Sequence, residues 1–151
     1  MWDESKPKVL NNLTFYIPPM ELLMYKYRLY PSQKQRERLI NSFKICKSLY
    51  NELLALSIDS WKFGNVSLNK FDYNNFLNGS HKDVFSQVKQ NISDRVNKSF
   101  QNFFRRVKDK SCKRKGFPRF KSRINSITYP QFGFKFLNDK RIKVSKIGSI
   151  P

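Results

Sequence analysis

The chain has 151 residues, of which 39% are hydrophobic and 15% aromatic, so it can bury a core and is not a disordered basic tail. Its net charge is +19, so its Lys and Arg side chains repel one another in any compact state unless a polyanion neutralises them. Nucleic acid is therefore the favoured partner, and an anionic membrane surface is a distant second. No apolar run reaches the roughly 18 residues that a membrane span requires.

The residues of common catalytic and metal sites are sparse. Cys46, Cys112 and the single histidine, His81, are far apart and form no zinc-binding pattern, which predicts thiols in a reducing cytosol and no metal. The acids lie scattered among Lys and Arg, whereas a two-metal nuclease needs converging carboxylates. The phosphate-binding glycine patterns of nucleotide enzymes are also missing. The sequence therefore predicts no catalytic residue, no cofactor and no enzyme activity.

Residues 1–23 differ in composition from the remainder of the chain. They carry two Lys and three acids, whereas residues 84–151 carry eighteen Lys or Arg and three acids. They show no helical or strand period, and Pro18 and Pro19 oppose regular structure. We interpret them as a poorly ordered extension, with Met24 as the natural beginning of the domain.

The first predicted elements are a strand and a long helix. Residues 24–31 alternate over an aromatic-rich run that Pro31 ends, which is typical of a strand. Ser32 followed by Gln35 has the capping-box pattern of a helix start. Apolar residues then recur at helical spacing and predict one long helix or two stacked end to end: Leu39, Phe43, Cys46, Tyr50, Leu53, Ser57 and Trp61.

Two further helices and a small sheet follow. Ser67 can cap a short helix over 68–77 that ends at Asn78-Gly79, and a stronger helix is predicted over 84–108. After a basic loop at 111–125, residues 126–137 read as extended and 141–144 alternate as a strand beyond a turn at 138–139. The predicted fold is α+β, with a three- to four-helix insertion (residues 32–110) within an incomplete small sheet whose later strands occupy 126–151.

The most specific chemical signal is the basic stretch that leaves the third helix. Ten Lys or Arg and one acid lie between Arg105 and Arg123, with Gly, Pro and two Phe among them. Lys and Arg in a loop of fixed shape suit phosphate oxygens. The candidate backbone contacts are Arg105, Arg106, Lys113, Arg114, Lys115, Arg119, Lys121 and Arg123. Phe117 and Phe120 either anchor the loop in the domain or stack on bases, and the sequence leaves both interpretations open.

Four segments together resemble the N-terminal part of the TnpB (OrfB) proteins of insertion sequences, relatives of type V CRISPR effectors. They are Tyr25–Pro31, with the letters YKYRLYP; Cys46–Leu54, with CKSLYNELL; Phe100–Arg105, with FQNFFR; and Lys115–Lys121, with KGFPRFK. Each is weak alone, but their order and spacing are similar to those of the family. Lys47 departs from the family pattern, which usually has Arg there. The resemblance covers about residues 24–151.

The resemblance implies a fold and a set of partners. It implies the first strands of a wedge barrel, over 24–31 and 126–151, and an inserted helix-turn-helix-like recognition domain, which would grip guide RNA and target-adjacent double-stranded DNA. The family's nuclease domain and zinc ribbon lie farther along than this chain extends, so we expect a truncated, non-catalytic fragment that takes part in DNA transposition. We also expect a cytoplasmic, nucleoid-associated protein of a prokaryote.

The start of the third helix is a candidate for sequence reading. Ser86, Gln87 and Gln90 lie within about one turn of the positive end of the helix dipole, and Gln can bond an adenine edge. In the family this stretch lies against target-adjacent DNA, so the resemblance implies a reading role. A solvated polar face remains the alternative. Two other functions also stay open, a stand-alone basic RNA-binding protein and an active endonuclease, as does the oligomeric state.

Overall fold

The computed structural model describes residues 9–10, 13–14, 23–113 and 115–151. The elements in chain order are β1 (Val9–Leu10), β2 (Leu13–Thr14), α1 (Gln33–Gly64), α2 (Lys70–Leu77), α3 (Ser86–Lys108), a short 3-10 turn (Gln131–Gly133), β3 (Phe134–Asn138), β4 (Arg141–Val144) and β5 (Gly148–Ile150). Strands β1 and β2 form a short antiparallel pair. Most of the predicted poorly ordered extension, residues 1–23, lies outside the described residues.

The long helix α1 is a single continuous helix, and its predicted start is confirmed. The Ser32 hydroxyl accepts from the Gln35 N–H, and the Gln35 side chain accepts from the Ser32 N–H at 2.9 Å, which completes the capping box. Gly64 is the last helical residue, and Asn65 takes the left-handed conformation with φ of 51°. Asn tolerates this region better than most residues, so Asn65 can take the left-handed position at which the chain leaves the helix.

The second and third helices begin later than predicted. Asn69, rather than Ser67, caps α2, because its side chain accepts from the Phe71 and Asp72 N–H groups while the Asp72 carboxylate accepts from the Asn69 N–H. Helix α3 begins at Ser86 instead of Val84. Val84 is buried and its N–H bonds to the His81 carbonyl in the preceding turn.

The main core lies between the three helices. Tyr50 on α1 bonds to Ser99 on α3, and farther along both helices Trp61 packs edge-on against Phe104 at 4.7 Å. The two helices therefore run in the same general direction, with α2 beside them. The buried cluster consists of Cys46, Leu49, Tyr50, Leu53, Leu54, Tyr73, Leu77, Val84, Val88, Ile92, Val96, Phe100 and Phe103.

The sheet lies at the N-terminal end of α1. Its order is β3-β4-β5, antiparallel throughout, and Val144, Ile147 and Ile150 form a small cluster against Leu39 of α1. Two side chains of α1 hold the last strand and the residue before it: Gln35 donates to the Ser149 carbonyl at 2.6 Å, and Arg38 donates to the Ile147 carbonyl at 3.2 Å.

The strand predicted over 24–31 is wrong, since residues 23–32 form neither helix nor strand. A strand needs a partner that satisfies its row of backbone groups. One backbone bond, from the Tyr30 N–H to the Pro151 carbonyl at 2.9 Å, joins this segment to the sheet. Its alternating side chains, such as Tyr25 and Tyr27, are exposed. The structure also differs from the extended stretch predicted over 126–137, because strand pairing begins only at Phe134.

Candidate nucleic-acid interface

Most of the predicted basic loop (111–125) belongs to a longer extended segment, residues 115–129, which lies on the groove between α1 and α3. We call this segment the strap. From the start of the strap to its end, the α1 residues that it contacts come progressively earlier in α1: Phe117 lies near Lys62, Lys121 pairs with Asn51, and Tyr129 lies near Ser42. The strap therefore runs antiparallel to α1 over twenty helical residues, about 30 Å at 1.5 Å per residue. Sequence reasoning placed its basic residues correctly in one segment but did not predict this path.

Phe117 anchors the front of the strap in the helical core. Its ring stacks on Phe103 at a centroid distance of 4.6 Å and lies 6.4 Å from Phe100. The Lys62 ammonium lies 5.7 Å from the centroid of the same ring, within cation–π range. Of the two interpretations that the sequence left open, anchoring therefore describes Phe117.

Asn51 fixes the middle of the strap. Its carbonyl oxygen accepts from the Lys121 N–H at 2.8 Å, and its amide nitrogen donates to the Lys121 carbonyl at 3.0 Å. The side chain thus satisfies both backbone groups of one strap residue, as a neighbouring strand would. The Lys121 ammonium lies 5.7 Å from the centre of the Tyr50 ring.

Arg95 and Tyr129 fix the far end of the strap. The Arg95 guanidinium donates to the Ser126 carbonyl at 3.0 Å and to the Thr128 hydroxyl at 3.2 Å. The Tyr129 side chain packs against the core, where burial raises the pKa of its phenol. Ile124 and Ile127 pack against the same core, so apolar side chains hold the strap along its length.

Most of the predicted phosphate-binding side chains, on the strap and in the residues before it, are exposed to solvent. Arg106 is the exception, because it is half-buried and donates to the Gly116 carbonyl at 3.1 Å, which fixes the strap's first turn. Arg114 lies outside the described residues. The exposed members of the predicted set are Arg105, Lys113, Lys115, Arg119, Lys121 and Arg123. Phe120 is 57% exposed among them, so base stacking remains a prediction for this residue.

A turn at the end of α3 directs the chain into the strap. The Asp109 carboxylate accepts from the Ser111 hydroxyl at 2.6 Å and from the Ser111 N–H at 2.9 Å. These bonds, with the charge of Lys115, hold the pKa of Asp109 below its usual value. The single acid of the basic stretch therefore has a local structural role.

Sequence reasoning missed the residues that hold the strap. Asn51, Arg95 and Lys62 lie on helices and far from the strap in sequence, so no local pattern connects them to it. One signal was available for Asn51, since Asn lowers helix stability in the middle of a helix and is retained there when its side chain has a partner.

The residues predicted to read DNA lie at the start of α3. Ser86 and Gln90 are exposed and line a cleft of about 130 Å³ between the end of α2 and the start of α3, together with Asn74, Asn78 and Lys89. Gln87 is half-buried. The structure thus brings Ser86 and Gln90 into one cleft of mixed polar and apolar lining, and Gln87 faces partly inward.

No group of three or more His, Cys, Asp or Glu within the described residues could hold a metal ion. Among the acids, Asp94 forms an ion pair with Lys70 at 2.9 Å. Cys46 is fully buried, and this burial raises the pKa of its thiol to about 11. None of the helices in the described part of the chain is both long and apolar enough to span a membrane.

Part of the chain matches a known protein family. Residues 20–65 match the family model of a helix-turn-helix domain, that of the OrfB proteins of IS605-type insertion sequences. This range contains the segment before α1 and the whole of α1, and the turn at 65–69 joins it to α2. No curated protein matches the chain at a significant level.

Proposed function

We propose that the chain is a DNA-binding, transposon-associated protein that grips guide RNA and target-adjacent duplex DNA through the strap and the start of α3. The support from known families is the match of residues 20–65 to the helix-turn-helix domain of IS605-type OrfB (TnpB) proteins. The family match confirms the part of the resemblance that lies within residues 20–65. The proposed location is the nucleoid of a prokaryotic cytoplasm, where both partners occur.

The strap is the observation that carries this proposal. Lys115, Arg119, Lys121 and Arg123 project from a backbone that the helices hold in place. A segment with this charge and no fixed shape would bind any polyanion and lose conformational entropy on doing so. A fixed spacing of cations instead favours the regular phosphate spacing of a nucleic-acid helix.

Salt dependence tests the role of the strap. Replacing Arg119, Lys121 and Arg123 by Gln should flatten the log-log salt dependence of duplex binding by about 2–3 units, since each lost phosphate contact removes about 0.9. The matched control replaces Lys34, Lys135 and Lys140, three exposed cations outside the strap, by Gln. This control variant has the same net charge as the strap variant, but its salt dependence should keep the wild-type slope.

The outcomes separate a local from a general electrostatic effect. If both triple variants lose the same slope, binding depends on net charge and the strap is not the interface. If neither changes, phosphates contact another surface. Binding to structured RNA that exceeds binding to duplex DNA in every variant would favour a stand-alone RNA-binding protein.

We assign sequence reading to the cleft at the start of α3. Gln90 is exposed there beside Ser86, and a Gln amide that bonds an adenine edge gives about 1–3 kcal/mol of discrimination. Gln87 belongs to the same proposed set. The test selects bound sequences from a randomised duplex library with wild type and with Gln90→Ala.

Loss of sequence enrichment with retained overall affinity would support the reading role of Gln90. The matched control is Gln101→Ala, an exposed Gln farther along α3, which should enrich the same sequences as wild type. If wild type and Gln90→Ala enrich the same sequences equally, this cleft is an ordinary solvated surface.

We also propose that the chain binds nucleic acid without cleaving it. Its acids are dispersed, and Asp72 and Asp109 have local structural roles as capping and turn residues. Purified protein with Mg²⁺ and guide RNA should leave duplex DNA intact in a gel assay. Metal-dependent cleavage that is abolished by Asp72→Asn would contradict this proposal.

A further inference from the structure

We propose that Asn51 is a positioning residue for nucleic-acid binding, which acts by pre-forming the strap and makes no contact with the ligand. The inference rests on the proposed function of the strap. Asn51 bonds both backbone groups of Lys121 with nearly equal geometry, at 2.8 and 3.0 Å. The carbonyl oxygen and one amide hydrogen of the Asn51 side chain are therefore already bonded within the protein.

The position of this contact makes it important for the exposed cations. The strap's anchors to either side are Phe117, four residues earlier, and Ile124, three residues later. Arg119, Lys121 and Arg123 all lie between those anchors, and the side chains of residues 119–123 are exposed. The Asn51 contact therefore fixes the backbone of this stretch where core packing does not.

A pre-formed backbone lowers the entropy lost on binding without changing the number of phosphates contacted. Loss of Asn51 should therefore weaken binding by about the same factor at every salt concentration. Loss of a phosphate-binding cation should change the salt dependence itself. These two signatures distinguish a positioning residue from a contact residue.

The test compares Asn51→Ala with Lys121→Gln, in the full chain with a duplex DNA probe. Asn51→Ala should weaken binding about five- to tenfold at each salt concentration, with the slope unchanged. In the unbound protein it should also remove the hydrogen-exchange protection of the Lys121 amide. Lys121→Gln should keep that protection, because its backbone bonds remain, and lower the slope by about 0.9.

Misfolding would not account for this pattern. Ala is a better helix former than Asn, so Asn51→Ala should not weaken α1 itself. Asn75→Ala, an exposed Asn on α2, is the matched control and should leave affinity, slope and exchange unchanged.

Three results would overturn the inference. A slope that falls with Asn51→Ala would make Asn51 part of the phosphate contact. Unchanged affinity with loss of amide protection would show that pre-forming the strap does not assist binding. A Lys121 amide that exchanges freely in wild type would show that Asn51 does not hold the strap. If wild type itself binds no nucleic acid, the proposed function fails, and the exchange measurement still tests the Asn51 contact by itself.

Discussion

The helical part of the molecule and its three-stranded sheet differ in how they are held together. Among the described residues, thirteen form the buried cluster of the helices, and three form that of the sheet. All five residues of β3 are exposed, and β3 is an edge strand. The helices supply the rigid support for the strap, whereas the sheet depends on its attachment to the start of α1.

A matched pair of core truncations should show this difference most strongly. Leu49 and Ile147 are almost completely buried and similar in size, but Leu49 lies in the large cluster and Ile147 in the small one. Leu49→Ala should lower the free energy of unfolding by about 3–4 kcal/mol, and Ile147→Ala by about 2 kcal/mol, because the smaller cluster can relax around the cavity. Denaturant unfolding measures both values. Equal losses would show that the small cluster relaxes around a cavity no more than the large cluster does.

The next largest effect concerns the two phenylalanines of the strap. Phe117→Ala should cost about 2 kcal/mol of stability, since its ring stacks in the helical core. Phe120→Ala, at an exposed position, should change stability by less than about 0.5 kcal/mol. If Phe120 stacks on bases, its loss should weaken single-strand binding by about 1–3 kcal/mol. Unaltered binding would make Phe120 a plain surface residue.

The contrast between the two parts also explains how far sequence reasoning succeeded. The capping box at Ser32 and the stop at Asn78-Gly79 depend on residues within a few positions of each other, and both are confirmed. The α+β class and the strand over 141–144 also followed from local patterns. Residues 24–31 have a strand pattern but lack a ladder of partners, which depends on distant chain segments.

The candidate site shows the same limit. The charge of the strap was evident from composition, but its path depends on contacts with residues 62 to 42 of α1, which are distant in sequence. Phe117 could not be assigned to core or surface until its neighbour Phe103 was known. Local sequence predicts what the strap binds, and tertiary contacts determine how it is presented.

The attachment of the sheet to α1 gives a smaller effect. The Gln35 amide group completes the helix cap and also donates to the Ser149 carbonyl at 2.6 Å. Gln35→Ala should cost about 1–2 kcal/mol and should speed hydrogen exchange in β4 and β5 more than in α3. The control Gln33→Ala removes only an exposed bond to Glu37 and should cost about 0.5 kcal/mol or less. Uniformly faster exchange in sheet and helices would contradict a local attachment.

The smallest effect tests a polar contact inside the helical core. The Ser57 hydroxyl donates to the Leu53 carbonyl at 2.7 Å, so the Tyr73 hydroxyl, 2.8 Å away, donates to the Ser57 oxygen. Tyr73→Phe removes that bond and should cost about 0.5–1.5 kcal/mol near neutral pH. The exposed Tyr25→Phe is the control and should change stability by less than about 0.5 kcal/mol.

The cost of Tyr73→Phe should depend on pH, because burial raises the pKa of the Tyr73 phenol above the ordinary tyrosine value of about 10. Above about pH 10 the unfolded chain loses this proton while the folded protein keeps it, so ionisation favours unfolding of the wild type. Phe cannot ionise, and the stability difference between wild type and Tyr73→Phe should shrink or reverse as pH rises through that range. Denaturant unfolding at pH 7 and at pH 10.5 measures the difference. A difference that stays constant would show that the Tyr73 phenol ionises as readily in the folded protein as in the unfolded chain.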